Sequence, residues 1–193
     1  MTRVLATLHR WISIVLCLMF ALWFTSGIVM IYVPFPSLPD SERIARAAVI
    51  DVSKVNSLTA ALNATGVKSA NRLRLLQYQQ RPILIAQGDN NIVAASFADS
   101  SDAVKPLTKA DAITIAQGFS NAPVASVSAT FSYDQWVVHD RFDPFRPFFR
   151  VEMADSIGTH LYVSAKSTEI LQKTNRSQRA WNYLGAVVHW IYP

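Results

Sequence analysis

Few side chains in this sequence are of a type that does chemistry, and their spacing narrows the field further. There are four histidines, at positions 9, 139, 160 and 189, and one cysteine, Cys17. His139 stands with Asp140 and Asp143, residue types that hold cations, but the spacing matches no compact ligand set. His160, in the stretch Thr159-His160-Leu161-Tyr162, alternates with Leu161, which puts it on a strand at a surface or cross-strand position. His9, beside Arg10, and His189, beside Trp190, each read on their own as interfacial polar residues. There is no G-x-S-x-G, no H-E-x-x-H and no Walker lysine motif. No pair of carboxylates stands out for acid–base work. A single cysteine excludes a disulfide-stapled fold. A hydrophobic content of 51% against 16% charged residues excludes disorder. The net charge of +5 comes without a dense basic run and gives no pointer to nucleic acid.

The elements that must position these residues begin with one apolar run. From Trp11 to Pro39 no residue is charged, and its heart is WISIVLCLMFALWFTSGIVMIYV, residues 11–33. As a helix, a run of this length covers about 35 Å, enough for a hydrocarbon layer of roughly 30 Å. The hydroxyls of Ser13, Thr25 and Ser26 can bond to helix carbonyls, so they do not forbid insertion. Trp11 and Tyr32 sit near the ends, where amphipathic rings prefer to lie. The run is longer than a signal-peptide core and ends in IYVPFPSLP instead of a small-residue cleavage site. It therefore reads as an uncleaved transmembrane helix. Arg3 and Arg10 precede it, which places the N-terminus in the cytoplasm and residues from about 36 to 180 in the periplasm.

That outer segment reads as an α+β region with one pattern used twice, over residues 36–104 and 105–175. Asp51 or Ser53 can cap a helix through about Thr65, with Val55, Leu58, Ala61 and Leu62 on one face and Gly66 as its stop. Strands are expected at 71–78, 82–87 and 91–97, with Leu73 and Leu75 inward and Arg72 and Arg74 outward, and a turn at residues 88–91. In the second copy Thr108 and Asp111 form a capping box for a helix carrying Ala110, Ile113, Ile115 and Ala116. Strands are expected at 124–131, 148–154 and 159–165, with a turn at residues 155–158. Each unit is then a helix plus a three-stranded antiparallel sheet, a small two-layer solution.

Two stretches break this pattern. The insert YDQWVVHDRFDPFRPFF, residues 133–149, mixes aromatics with His139, Asp140, Arg141, Asp143 and Arg146. It reads either as a surface loop held by aromatic packing or as a contact surface toward a partner or the membrane. The C-terminal stretch RSQRAWNYLGAVVHWIYP, residues 176–193, becomes apolar and aromatic. It reads as an interfacial helix or the start of a second span, because the residues from Trp181 on are too few to cross.

Three segments carry a resemblance to the N-terminal half of the PepSY-associated transmembrane proteins of bacteria. LHRW and the apolar helix, residues 8–33, resemble their first span. FFRVEMADSIGTHLYVSAKSTEIL, residues 148–171, resembles the core of a PepSY domain. RAWNYLGAVVHWIYP, residues 179–193, resembles the run into their second span, and residues 51–97 look like a degenerate PepSY copy. The family commonly has Thr-Gly in the last turn where this chain has Ser167-Thr168, which suggests a different turn geometry. The resemblance implies an inner-membrane protein with further transmembrane helices, linked to iron uptake and ferric-siderophore reduction. It also implies haem b, with His9 and His189 as the matching ligand positions. A neutral imidazole suits haem iron. The two histidines lie at opposite ends of the span, so each would need a partner histidine from outside this chain.

Three readings of function stand side by side. The first is a haem-bearing membrane electron-transfer protein. The second is a membrane-tethered periplasmic binding or regulatory module that contacts a siderophore or a periplasmic protein. The third is a scaffold subunit of a membrane complex.

Overall fold

A computed structural model describes residues 2–89 and 92–190. The chain divides into two compact units: residues 1–36 with 175–193, and residues 37–174.

The first unit is helical. Helix α1, Thr2–Tyr32, extends the expected span at its N-terminal end to include His9 and Arg10. At 1.5 Å per residue it is about 47 Å long. It is the one helix among the described residues long and apolar enough to cross a membrane. Its apolar side chains are mostly bare, Leu18, Phe24 and Ile31 among them, as suits a helix whose surroundings are lipid and not a protein core. Helix α5, Arg176–Asn182, starts at a capping box made by Asn175 and Gln178. It runs through a π-helical turn, Tyr183–Val187, into a last helical turn, Val188–Trp190. The expected start of a second span is thus helical as far as Trp190. Residues 191–193 lie outside the described residues.

The second unit holds both helix-plus-sheet modules. A short helix α2, Asp40–Ala45, opens it and had no counterpart in the sequence pattern. Asp51 caps only a 3₁₀ turn, Val52–Lys54. Helix α3, Leu58–Thr65, has its own cap, Ser57, which accepts from the Ala60 amide. The single helix expected from residue 51 or 53 is therefore two pieces. Ala61 is fully buried while Leu58 is 51% exposed, so the apolar face is narrower than its composition suggested. Gly66 ends α3 with φ +71°, the left-handed stop that glycine adopts without penalty.

Strands β1 (Ala70–Tyr78), β2 (Arg81–Gly88) and β3 (Val93–Phe97) form an antiparallel sheet in the order β1-β2-β3. The expected turn between β2 and β3 includes Asn90 and Asn91, which lie outside the described residues. Helix α3 packs on one face through Ala61 and Leu84. The other face is not bare, because Ile83 and Ile85 are both fully buried. Both faces of β2 are thus covered, and this changes the reading of β1 at two positions: Leu73 is 51% exposed and Arg74 points inward, while Leu75 packs on the α3 side and Arg72 is exposed as expected.

In the second module α4, Lys109–Ser120, has the capping box expected of Thr108 and Asp111. Ala112 and Ala116, one turn apart, form its buried face, while Ala110 is exposed. The sheet has four strands, not three, in the order β4-β5-β6-β7. They are β4 (Val124–Val127), β5 (Phe148–Met153), β6 (His160–Ser164) and β7 (Ile170–Thr174). Strand β7 escaped the apolar pattern because two of its three buried residues, Gln172 and Thr174, are polar.

The aromatic insert is internal packing. Trp136, Val137, Phe142 and Phe145 are buried, and residues 140–145 form a 3₁₀ segment. Arg146 holds it together. Its guanidinium donates to Asp143 Oδ1 at 2.8 Å, to the Val137 carbonyl at 2.6 Å and to the Ser132 carbonyl. Gln172 of β7 donates to the Trp136 carbonyl at 2.8 Å. Buried polar groups of the insert therefore find partners inside the fold.

Candidate functional site

His189 and His9 occupy different settings. The His189 ring stacks on Trp23 with centroids 4.9 Å apart and planes 13° from parallel. Its Nδ1 lies 3.1 Å from the Trp23 carbonyl oxygen and 3.2 Å from Ser26 Oγ. A carbonyl only accepts, so in this contact Nδ1 is the donor. Ser26 Oγ in turn donates to the Trp23 carbonyl at 2.9 Å. Small residues let the two helical segments approach. A Cβ on Gly27 would stand 3.2 Å from His189 Cε1, and one on Gly185 would stand 3.1 Å from Val29 Cγ1. His189 therefore docks against the middle of the C-terminal half of α1, about 10 Å short of its end.

His9 is exposed on the first turns of α1. Along the helix it lies about 21–25 Å from the level of Trp23 and Ser26. The two histidines cannot share one iron. As a haem ligand set the chain fits in part: His189 has the anchored imidazole that an axial ligand needs, and within its own unit no second histidine among the described residues stands beside it. The remaining two histidines are spoken for by the fold. His160 lies across from Glu152 in the β5–β6 register, with Nε2 3.9 Å from Glu152 Oε1. His139 precedes the 3₁₀ segment whose Asp143 pairs with Arg146. Among the described residues no three of His, Cys, Asp and Glu converge as a metal site would require.

The recesses of the second unit went unforeseen. One, of about 540 Å³, is lined by Arg43, Arg72, Arg74 and Arg141 with Asp40 and Asp140. A second, of about 570 Å³, runs between α2, β1 and α4 and is mainly apolar. Asp40, Arg43, Arg72 and Arg74 line both. Volumes of this size suit small organic ligands.

The charges on this shared wall differ in how they are compensated. Arg43 pairs with Asp40 at 2.5 Å. Arg74, on the buried face of β1, reaches Glu169 at 2.8 Å, with the two side chains 14% and 3% exposed. Its guanidinium stacks over the Phe145 ring at 5.3 Å, and its Nε is buried with no partner. Burial raises the Glu169 carboxyl above the usual carboxylate range, against the pull of Arg74. Burial also lowers Arg74, with Glu169 opposing and Arg72 and Arg43 adding to the depression. Both shifts state that desolvation outweighs attraction here. Arg72 is exposed and makes no ion pair among the described residues.

Thr168, next to Glu169, adds backbone strain. It has φ +62°, a left-handed conformation that a β-branched residue rarely adopts. The Ser167-Thr168 turn thus takes a left-handed conformation, the kind glycine adopts freely, even though threonine occupies the position. Ser164 Oγ braces it, accepting from the Ser167 amide at 3.1 Å and the Lys166 amide at 3.2 Å.

At the other end of the apolar groove Tyr78 donates to Asp111 Oδ1 at 3.1 Å. The Tyr78 hydroxyl is pushed up to about 12, first by burial and then by the Asp111 charge. Asp111 itself is held below the usual range, first by the Thr108 hydroxyl. No protein-family model, no curated protein and no solved structure matches this chain.

Proposed function

We propose that this chain is a membrane-tethered binding or regulatory module of the PepSY type. Helix α1 anchors it, with Arg3 and Arg10 on the cytoplasmic side, and the α+β unit does the recognition in the periplasm. One observation carries the reading: a self-contained unit of two helix-plus-sheet modules holds two ligand-sized recesses that share an arginine wall. The residues on that wall are suited to hold and orient an anion. They include no nucleophile paired with a base.

A second reading, haem-linked electron transfer in iron uptake, is favoured by the anchored imidazole of His189. Haem, when bound, would supply the one-electron chemistry. This chain's contribution would be to hold the His189 ring through the Trp23 carbonyl and Ser26.

The test uses membranes expressing the full-length protein. The binding reading expects protease added outside the cell membrane to reach residues 37–174, and purified protein whose reduced-minus-oxidised spectrum is flat. A stoichiometric b-type haem spectrum that disappears in His189→Ala would overturn it in favour of the second reading.

A further inference from the structure

The apolar groove has a feature that helix packing does not explain. Gly118 lies in the last turn of α4 and lines this groove. A Cβ there would meet nothing within 4 Å, and its φ lies outside the left-handed region. Neither a close approach nor a special conformation calls for glycine. A glycine in a helix costs about 1 kcal/mol relative to alanine. Its effect here is to leave the exposed side of the groove open beside Ile115 and Phe119.

The charge at the groove's end fits one anionic group. Of the arginines lining it, Arg43 pairs with Asp40, Arg46 with Glu42 and Arg74 with Glu169. Among the described residues Arg72 is the arginine of the shared wall that makes no ion pair, with Glu169 acting on it only through longer-range attraction. Its planar fork matches a carboxylate in a bidentate geometry. The rest of the groove offers Leu76, Ile115, Phe119 and Ile170 to an apolar body.

We propose that the groove between α2, β1 and α4 binds a small amphipathic carboxylate, with its apolar chain or ring over Gly118 and its carboxylate on Arg72. The inference rests on the binding-module reading and names the ligand class for its site. The carboxylate sits at the edge where the apolar groove meets the arginine recess. One negative charge satisfies Arg72 without leaving a second anion facing Asp40 and Glu169.

The experiment titrates the full-length chain in nanodiscs with 4-phenylbutyrate, followed by calorimetry. The neutral 4-phenylbutanol and the dianionic phenyl phosphate are the comparison probes. Saturable binding of the carboxylate is expected, about tenfold tighter than the alcohol, as one charge-assisted contact implies. Arg72→Gln, at an exposed position, should erase that tenfold preference. Gly118→Leu should abolish binding while leaving the melting temperature unchanged or higher, which separates blockage from unfolding. No binding, equal binding of the alcohol, tighter binding of phenyl phosphate, or binding that survives both substitutions would each overturn the proposal. The haem spectrum of the same preparation separates the two failures. A haem-free, anchored chain that binds no carboxylate defeats this inference alone, whereas bound haem defeats the reading beneath it.

Discussion

Replacing Arg146 with methionine should cost the α+β unit about 3 kcal/mol. The side chain is 8% exposed and fixes the aromatic insert by three hydrogen bonds, to Asp143 and to the carbonyls of Val137 and Ser132. Methionine keeps most of the apolar stem but leaves two carbonyls of the insert without a donor. Orphaning the buried Val137 carbonyl costs about 1–3 kcal/mol, the carbonyl of the exposed Ser132 costs less because water can replace its donor, and the lost contact to Asp143 adds little. The guanidinium also stacks on Tyr133 at 4.2 Å, a contact worth roughly 0.5–1 kcal/mol. Arg146→Lys should retain the charge but reach only one of the three acceptors, for about half the loss. For a unit of residues 37–174, a loss of about 3 kcal/mol lowers the melting temperature by roughly 8–15 °C. The assay is urea unfolding of the full chain in detergent micelles, read by near-ultraviolet circular dichroism, which senses the buried Trp136. Limited proteolysis should cut first within residues 131–147. If Arg146→Met costs less than about 0.5 kcal/mol, or if lysine performs as well as arginine, the assignment of Arg146 as the internal tie of the insert is wrong.

Two further outcomes follow from the geometry. Thr168→Gly should stabilise the protein by up to about 1 kcal/mol, because the relief of roughly 1–2 kcal/mol of left-handed strain exceeds the entropy that glycine loses; a lower denaturation midpoint than wild type would contradict the strain. Asp111→Asn should move the Tyr78 ionisation down from about 12 toward the ordinary tyrosine value, leaving the part due to burial, as read by ultraviolet titration. In the wild type the Tyr78 contribution to stability is present below pH 10 and is lost as pH rises through about 12, while that of Asp111 is present above the ordinary carboxylate value and is lost as pH falls through its lower folded value. An unchanged Tyr78 titration in Asp111→Asn would break this link.

Much of the fold was legible because the interactions that encode it are local. The uncharged run from Trp11 marks α1 by composition, and Thr108 with Asp111 marks the start of α4 by a hydrogen bond spanning three residues. Gly66 marks the end of α3 by its own backbone freedom. The β5–β6 pair is framed by Asp155 and Gly158, which close the turn through their own backbone and the Thr159 amide. In each case the physical cause lies within a few residues of the effect.

What tertiary structure alone decided is which faces are covered. Arg72 and Arg74 alternate with leucines in the pattern of an outward polar face, yet Arg74 turns inward because β2 is buried on both sides and Glu169 waits 95 positions away. Strand β7 hides its inward side behind Gln172 and Thr174, whose burial depends on acceptors such as the Trp136 carbonyl supplied by the distant insert. His189 shows a polar residue beside a tryptophan in sequence, and only the packing of Gly27 and Gly185 brings it to Trp23 and Ser26. The arginine wall draws on α2 and β1 together, about 30 residues apart, so no short window of sequence contains it. Hydrophobic period and capping report the local backbone. Desolvation, which sets the state of Arg74, Glu169 and Tyr78, is a property of everything that surrounds a group, and it exists only once the chain has folded around it.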